Sequence, residues 1–232
     1  MYSKVVIAFG GSTLFDKNGF PSVEVLKPLR KELEALANEG VALAVVVGGG
    51  KPSRMYVLRA RELGLSDGIC DLIAIAVTRV NAMLLSALLG KTCASLKPPS
   101  TIEEAVTMFT PGKVLVMGGT EPGQTTDAVA AKLAECSLAD LLVLVKDVGG
   151  IYTDDPKVNP NATLLKQVTI SRLKEMVSRV GLKAATSYVV DPVAIEVIGR
   201  SSVKTVVTGY EPGSLLKLVK EGVFKGTEII RG

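Results

Sequence analysis

Three times the chain runs a short apolar stretch straight into two glycines and a small residue: VVIAFGGS ending at Ser12, LAVVVGGG ending at Gly50 and KVLVMGGT ending at Thr120. Such stretches read as buried strands, and glycines directly behind them let the backbone turn tightly and approach a bulky group with no Cβ in the way. The bulky group this predicts is phosphate. A helix that follows points its first N–H groups and positive dipole end back at the glycine loop. Three junctions of this kind predict more than one phosphate at a single edge of a sheet.

The rest of the pattern fits an α/β fold. Strands are predicted at 4–9, 41–47, 113–117, 141–146, 202–207 and 227–230. Helices are predicted at 22–38, 53–63, 71–89, 126–136 and 214–221, with further helix starts at Thr169 and at Asp191-Pro192. The segment TDDPKVNPNA, 153–162, is dense in turn formers and reads as a loop. Alternation of this kind predicts a mostly parallel sheet sandwiched by helices. No low-complexity linker divides the 232 residues, which predicts one domain over 1–232. A 47% hydrophobic content rich in Val, Leu and Ala suits strands covered on both faces.

Composition narrows the chemistry. The chain has no histidine, which removes Ser-His-Asp and Cys-His systems, His-built zinc sites and an imidazole base together. Cys70, Cys93 and Cys136 match neither a zinc nor a redox spacing and read as buried free thiols. What remains is backbone amides, Lys, Arg, Asp and hydroxyls, and phosphoryl transfer is the reaction class that needs little else. A net charge of +4 with 4% aromatic residues argues against a nucleic-acid partner. No apolar run is read as approaching the ~18 residues of a membrane span, and the five apolar residues before Gly10 are too few for a signal peptide. A soluble, cytoplasmic protein is expected.

Two segments carry most of the chemistry. GGGKPSR, 48–54, sets Lys51 and Arg54 one turn beyond three glycines. It is either an anion site with two cations or a tight turn with solvated basic side chains, and it is neither a Walker A loop nor Gly-x-Gly-x-x-Gly. GGTEPGQTTDAVAA, 118–131, combines Thr120, Thr125 and Thr126 with Gly123 and an alanine-rich helix that can pack closely behind them; the bland alternative is that Thr126 or Asp127 is a plain helix cap. Asp71 reads as a cap or as an acceptor for sugar hydroxyls. TDDP, 153–156, is a turn that could flank a purine or ribose beside Tyr152.

Taken in order, FGGS at 9–12, VVVGGGKPSRMY at 45–56, DLIAIAVTRVNAMLL at 71–85, the 118–131 segment, GGIYTDDPK at 149–157 and VVDPVAIEVIGRS at 189–201 resemble the archaeal-type uridylate kinases of the amino acid kinase superfamily over essentially the whole chain. The resemblance implies a three-layer αβα sandwich around a mainly parallel sheet of about eight strands. It implies UMP bound by the half at about 1–138 and ATP, with Mg²⁺ carried on its phosphates, by the half at about 139–232. Transferred residue by residue, UMP would contact Gly49, Asp71, Thr120, Glu121, Pro122, Gly123, Gln124, Thr125 and Thr126. ATP would contact Gly11, Ser12, Gly50, Arg54, Lys146, Asp147, Tyr152 and Asp155, with Arg54 and Lys51 catalytic and no protein metal ligands. A homohexamer built from dimers is implied as well.

Two departures stand out. Ala8 occupies a strand position where the superfamily often carries lysine, so that Arg54, Lys51, Mg²⁺ and loop amides would have to neutralise the moving phosphoryl group. KDVGGIY, 146–152, stands where relatives typically read Thr-Asn-Val-Asp-Gly-Val-Tyr. Lys146 there is either a phosphate contact or a solvated side chain. The alternatives to a UMP kinase are another kinase of the superfamily and a noncatalytic nucleotide or oxyanion binder.

Overall fold

The computed structural model describes residues 1–180 and 190–231. The elements in chain order are β1 (Lys4–Phe9), α1 (Val23–Asn38), β2 (Ala42–Val47), α2 (Gly50–Glu62), α3 (Asp67–Leu89), α4 (Ile102–Met108), β3 (Val114–Met117), α5 (Thr126–Cys136), β4 (Leu141–Val145), β5 (Gln167–Thr169), α6 (Ile170–Val180), α7 (Pro192–Arg200), β6 (Lys204–Thr208), α8 (Ser214–Glu221) and β7 (Gly226–Ile230). Among the described residues the sheet has seven strands, not about eight, in the order β3-β2-β1-β4-β6-β7-β5. All neighbours are parallel except β6 and β7.

Strand alternation divides the core between two layers. Val5, Ile7, Phe9, Leu43, Val45, Val116, Val143 and Val206 face α1, α3 and α8. Val6, Ala8, Ala44, Val46, Leu115, Leu144 and Val207 face α5, α6 and α7. Several residues of α5 are small (Ala128, Ala130, Ala131, Ala134) and share one core layer with Ala42, Ala44 and Ala8, so this helix comes close to the sheet and the run from Asp127 to Ala131 is buried throughout. That close approach carries Asp127, at the start of the helix, into the protein.

Several expectations change. α3 begins at Asp67, so Asp71 lies inside the helix instead of capping it. The segment from Asp67 to Thr92 is long and apolar enough, by length and composition, to cross a membrane. This corrects the expectation that no run approaches that length: Arg79 and Asn81 interrupt the apolar run but are too few to offset it. Here the apolarity is divided between a buried side (Cys70, Ile75, Ala82, Leu85, Leu89) and an exposed one (Leu72, Val80, Met83, Leu84). Cys70 and Cys93 are buried free thiols as expected, whereas Cys136, in the last turn of α5, is exposed. Segment 181–189, which includes the first residue of the expected 189–201 motif, lies outside the described residues.

Candidate active site

Because β3, β2, β1 and β4 are parallel neighbours, their carboxyl ends open on one edge, and the three glycine junctions meet there. Contact between the first two is direct, whereas Gly118 and Gly119 lie against Ile75, Thr78 and Arg79 of α3. A Cβ on Gly11 would sit 1.9 Å from the Gly50 nitrogen, and one on Gly48 would sit 2.6 Å from the Gly11 nitrogen and 3.0 Å from Thr126 Oγ1. Gly50 also has a φ of +64°, which disfavours any side chain.

Helix α3 ties the remaining loop to this edge, through residues that sequence reasoning missed. Asn81 Nδ2 donates to the Gly48 carbonyl at 3.0 Å, the Gly119 N–H donates to Thr78 Oγ1 at 2.7 Å, and Arg79 Nε donates to the Gly119 carbonyl at 3.2 Å. Asp71 Oδ2 accepts the Gly123 N–H at 2.8 Å, so the Asp71 carboxylate and the 118–126 loop do come together. Thr125, not Thr126 or Asp127, caps α5, accepting from the Ala128 N–H. The Gln124 amide nitrogen bonds Glu121, while its Oε1 is buried with no partner among the described residues.

Two cavities flank the meeting point. One, of about 270 Å³, is lined by Ser12, Phe15, Asp16, Lys17, Lys51 and Arg54. Lys51 Nζ donates to the Lys17 carbonyl at 2.8 Å, and the Asp16 carboxyl is held below its ordinary range chiefly by the Phe20 N–H. The other, of about 470 Å³, includes Gly149, Tyr152, Leu164, Gly209, Pro212, Leu218 and Phe224 in its wall. Asp147 pairs with Lys157 at 2.5 Å, and Asp155 Oδ1 accepts the Lys157 N–H at 2.9 Å. Both carboxylates therefore organise the 147–159 loop, and neither lines the 470 Å³ cavity. Lys146 is not solvated: its ammonium pairs with the buried Asp127.

The amino acid kinase family profile matches residues 3–209. The chain belongs to the amino acid kinase family. Within it, the chain is 43% identical to a uridylate kinase of Methanobrevibacter smithii over 98% of this chain and 99% of that relative. It is 41% identical to one of Methanococcus vannielii over 97% and 99% respectively. The crystal structure of uridylate kinase from Archaeoglobus fulgidus superposes with a TM-score of 0.83 at 39% identity, covering 99% of this chain and all of that one.

A further residue of this kinase fold escaped the sequence reading. Glu32 on α1 is buried, and its carboxylate accepts from the Tyr210 hydroxyl at 2.7 Å and from the N–H groups of Gly213, Leu215 and Leu216 at 2.9, 3.0 and 3.2 Å. It thereby caps α8 and fixes one wall of the 470 Å³ cavity. Burial, and then the hydrogen bond to Glu32, push the Tyr210 phenol above its ordinary range and keep it a donor. A visible signal was available: an acid beside Leu29, Leu33 and Leu36 on the apolar face of α1. Glu32→Ala leaves these donors unmatched and is expected to cost about 3 kcal/mol, or a fall of roughly 6–12 °C in Tm. Thermal denaturation within 2 °C of wild type would contradict this role.

Proposed function

We propose that this chain transfers the γ-phosphoryl group of MgATP to UMP, giving UDP and ADP. The observation that carries the proposal is the convergence of three glycine loops between two cavities, with Gly11 and Gly50 in backbone contact. Such loops bind phosphates with main-chain N–H groups, so two polyanions can be brought end to end.

The division of labour follows the sheet. Loops after β2 and β3, with Asp71 of α3, hold UMP through Gly49, Asp71 and the 120–126 loop, where the buried Gln124 oxygen has no partner among the described residues, while Gly11 and Ser12 after β1, with Gly50 and Arg54, face the ATP phosphates. The 470 Å³ cavity, with apolar walls and Tyr152 at its side, suits the adenosine end of ATP. The acceptor oxygen belongs to the UMP phosphate and is already ionised near neutral pH, so no general base is needed. MgATP supplies charge neutralisation on its phosphates. A magnesium ion held that way needs few protein oxygens, which the Ser12 hydroxyl and Asp16 carboxylate at one cavity would provide. Among the described residues no three His, Cys, Asp or Glu side chains gather as metal ligands.

Exposed Met55, Tyr56 and Leu58 on α2, with Leu72, Val80, Met83 and Leu84 on α3, support self-association, since exposed apolar side chains on neighbouring helices favour a protein partner, and we take the assembly to be a homohexamer. We place the reaction in the cytoplasm.

The deciding experiment is a coupled ADP-release assay with UMP, CMP and dUMP side by side. UMP-dependent turnover is the expected result, and tight nucleotide binding without ADP release would favour a noncatalytic binder. Asp71→Ala, which frees the 118–126 loop and removes a sugar acceptor, should raise KM for UMP about tenfold, or ~1.4 kcal/mol, and leave KM for ATP unchanged. Equal rises in both constants would remove Asp71 from the UMP site.

A further inference from the structure

We propose that Lys146 is a catalytic residue, its ammonium neutralising charge on the phosphoryl group in flight while Asp127 positions it; the proposal rests on the kinase reading above. Lys146 directly follows β4, and β4 stands between β1, β2 and β3 on one side and β6 on the other. The glycine loops lie to the first side and the larger cavity, through Gly149, Thr208 and Gly209, to the second. A phosphoryl group passing from one ligand to the other crosses the end of β4. The backbone there is clamped from both neighbours: the Lys146 N–H donates to the Thr208 carbonyl at 2.8 Å and the Gly10 N–H donates to the Val145 carbonyl at 3.1 Å.

The side chain is as constrained as its backbone. Lys146 is 15% exposed and the Asp127 carboxylate 7%. Asp127 reaches this position because the first turns of α5 are buried against the sheet, and next to it Thr126 Oγ1 lies 3.0 Å from where a Cβ on Gly48 would be. The start of a helix also favours a carboxylate. Among the described residues Asp127 is the only hydrogen-bond partner of the ammonium. An ammonium has three donors, so two remain for phosphate oxygens.

Stability does not account for the pair. A buried ion pair loses in desolvation much of what it gains in attraction, and neutral side chains of similar volume usually serve a fold as well. The carboxyl end of β1 supplies no cation: its one lysine, Lys4, stands at the opposite end of the strand, and the buried Ala8 lies nearest the glycine pair on the α5 side. Lys51 holds the Lys17 carbonyl, and Arg54 is in the cavity on the β1 and β2 side. Lys146 is the cation at the crossing itself.

The test uses the full-length protein with MgATP and UMP, and the variants Lys146→Met, Asp127→Asn and the two combined. Lys146→Met should lower kcat about a hundredfold with both KM values within about threefold, as removal of a transition-state donor does. Asp127→Asn should lower kcat about tenfold with KM values unchanged, because the lysine is present but no longer held. The double variant guards against misfolding: with both charges gone its Tm should return toward wild type while kcat stays as low as in Lys146→Met. Recovery of kcat in the double variant would show that Lys146 merely matches a buried carboxylate, and would overturn the proposal. So would a rise in KM for ATP with kcat intact. Wild-type protein that releases no ADP with UMP would overturn the kinase reading itself and this role with it.

Discussion

Gly11→Ala is expected to lower kcat/KM by about a thousandfold, since misplacing reacting groups by an ångström costs on the order of a hundredfold and two phosphate loops are displaced together. The added Cβ would lie 1.9 Å from the Gly50 nitrogen and 2.4 Å from its Cα, both backbone atoms that cannot rotate away. To reach ordinary contact the β1 and β2 loops must separate by more than 1 Å, and the second loop is tied to Asn81 through the Gly48 and Gly49 carbonyls. Gly10→Ala is the internal control. Its Cβ would meet the Val145 carbonyl at 3.2 Å and Thr13 Oγ1 at 3.9 Å, a contact that a small adjustment relieves. Steady-state kinetics with UMP and MgATP check both. Gly11→Ala as active as Gly10→Ala would mean that the two loops do not have to touch for catalysis.

What the sequence conveyed and what it did not divide along physical lines. Strand β1, α5 and α8 have the predicted limits because each is bounded by a local signal: a glycine pair, a pair of threonines of which Thr125 provides the cap, or flanking glycines at Gly213 and Gly222 in the left-handed region. The caps at Asp191 and Thr169 form as their residue types predict, accepting from the N–H groups of Ala194 and Arg172. Strand β5 went unread because three residues are too few to show a period, and only Val168 of them is buried. Helix α4 was hidden behind Pro98 and Pro99, where breakers dominate the local pattern. In the candidate site, the gathering of residues beside the glycine loops was legible, since each loop directly follows a strand of the parallel sheet and ends at the same edge. Those acting across the fold were harder: Thr78, Arg79 and Asn81 looked like interruptions of an apolar helix, and they are the struts that hold two loops. The pairing of Lys146 with Asp127 depends on which strand lies beside which helix, and no local pattern encodes that.

Arg54→Ala is expected to lower kcat by two to three orders of magnitude, roughly the loss seen when a charge-stabilising donor is removed from a preorganised site. Arg54 sits in α2, one turn past Gly50, so its position is fixed by the same glycine junction that is proposed to bind phosphate. Its guanidinium has no hydrogen-bond or ion-pair partner among the described residues and lines the 270 Å³ cavity with Ser12 and Lys51. A guanidinium left free at an anion site is available to bridge two phosphate oxygens at once, which a lysine cannot reproduce. Arg54→Lys should therefore recover only part of the loss, about tenfold above Arg54→Ala. Lys51→Ala should act differently. Lys51 already donates to the Lys17 carbonyl and packs its methylenes 3.5 Å from where a Cβ on Gly19 would be, so its removal loosens the loop around Asp16. That predicts a rise in KM for the nucleotides larger than the fall in kcat. Single-turnover rates measured with all three variants separate the two roles, and an unchanged rate for Arg54→Ala would leave the transferred charge to Lys146, Mg²⁺ and the loop amides.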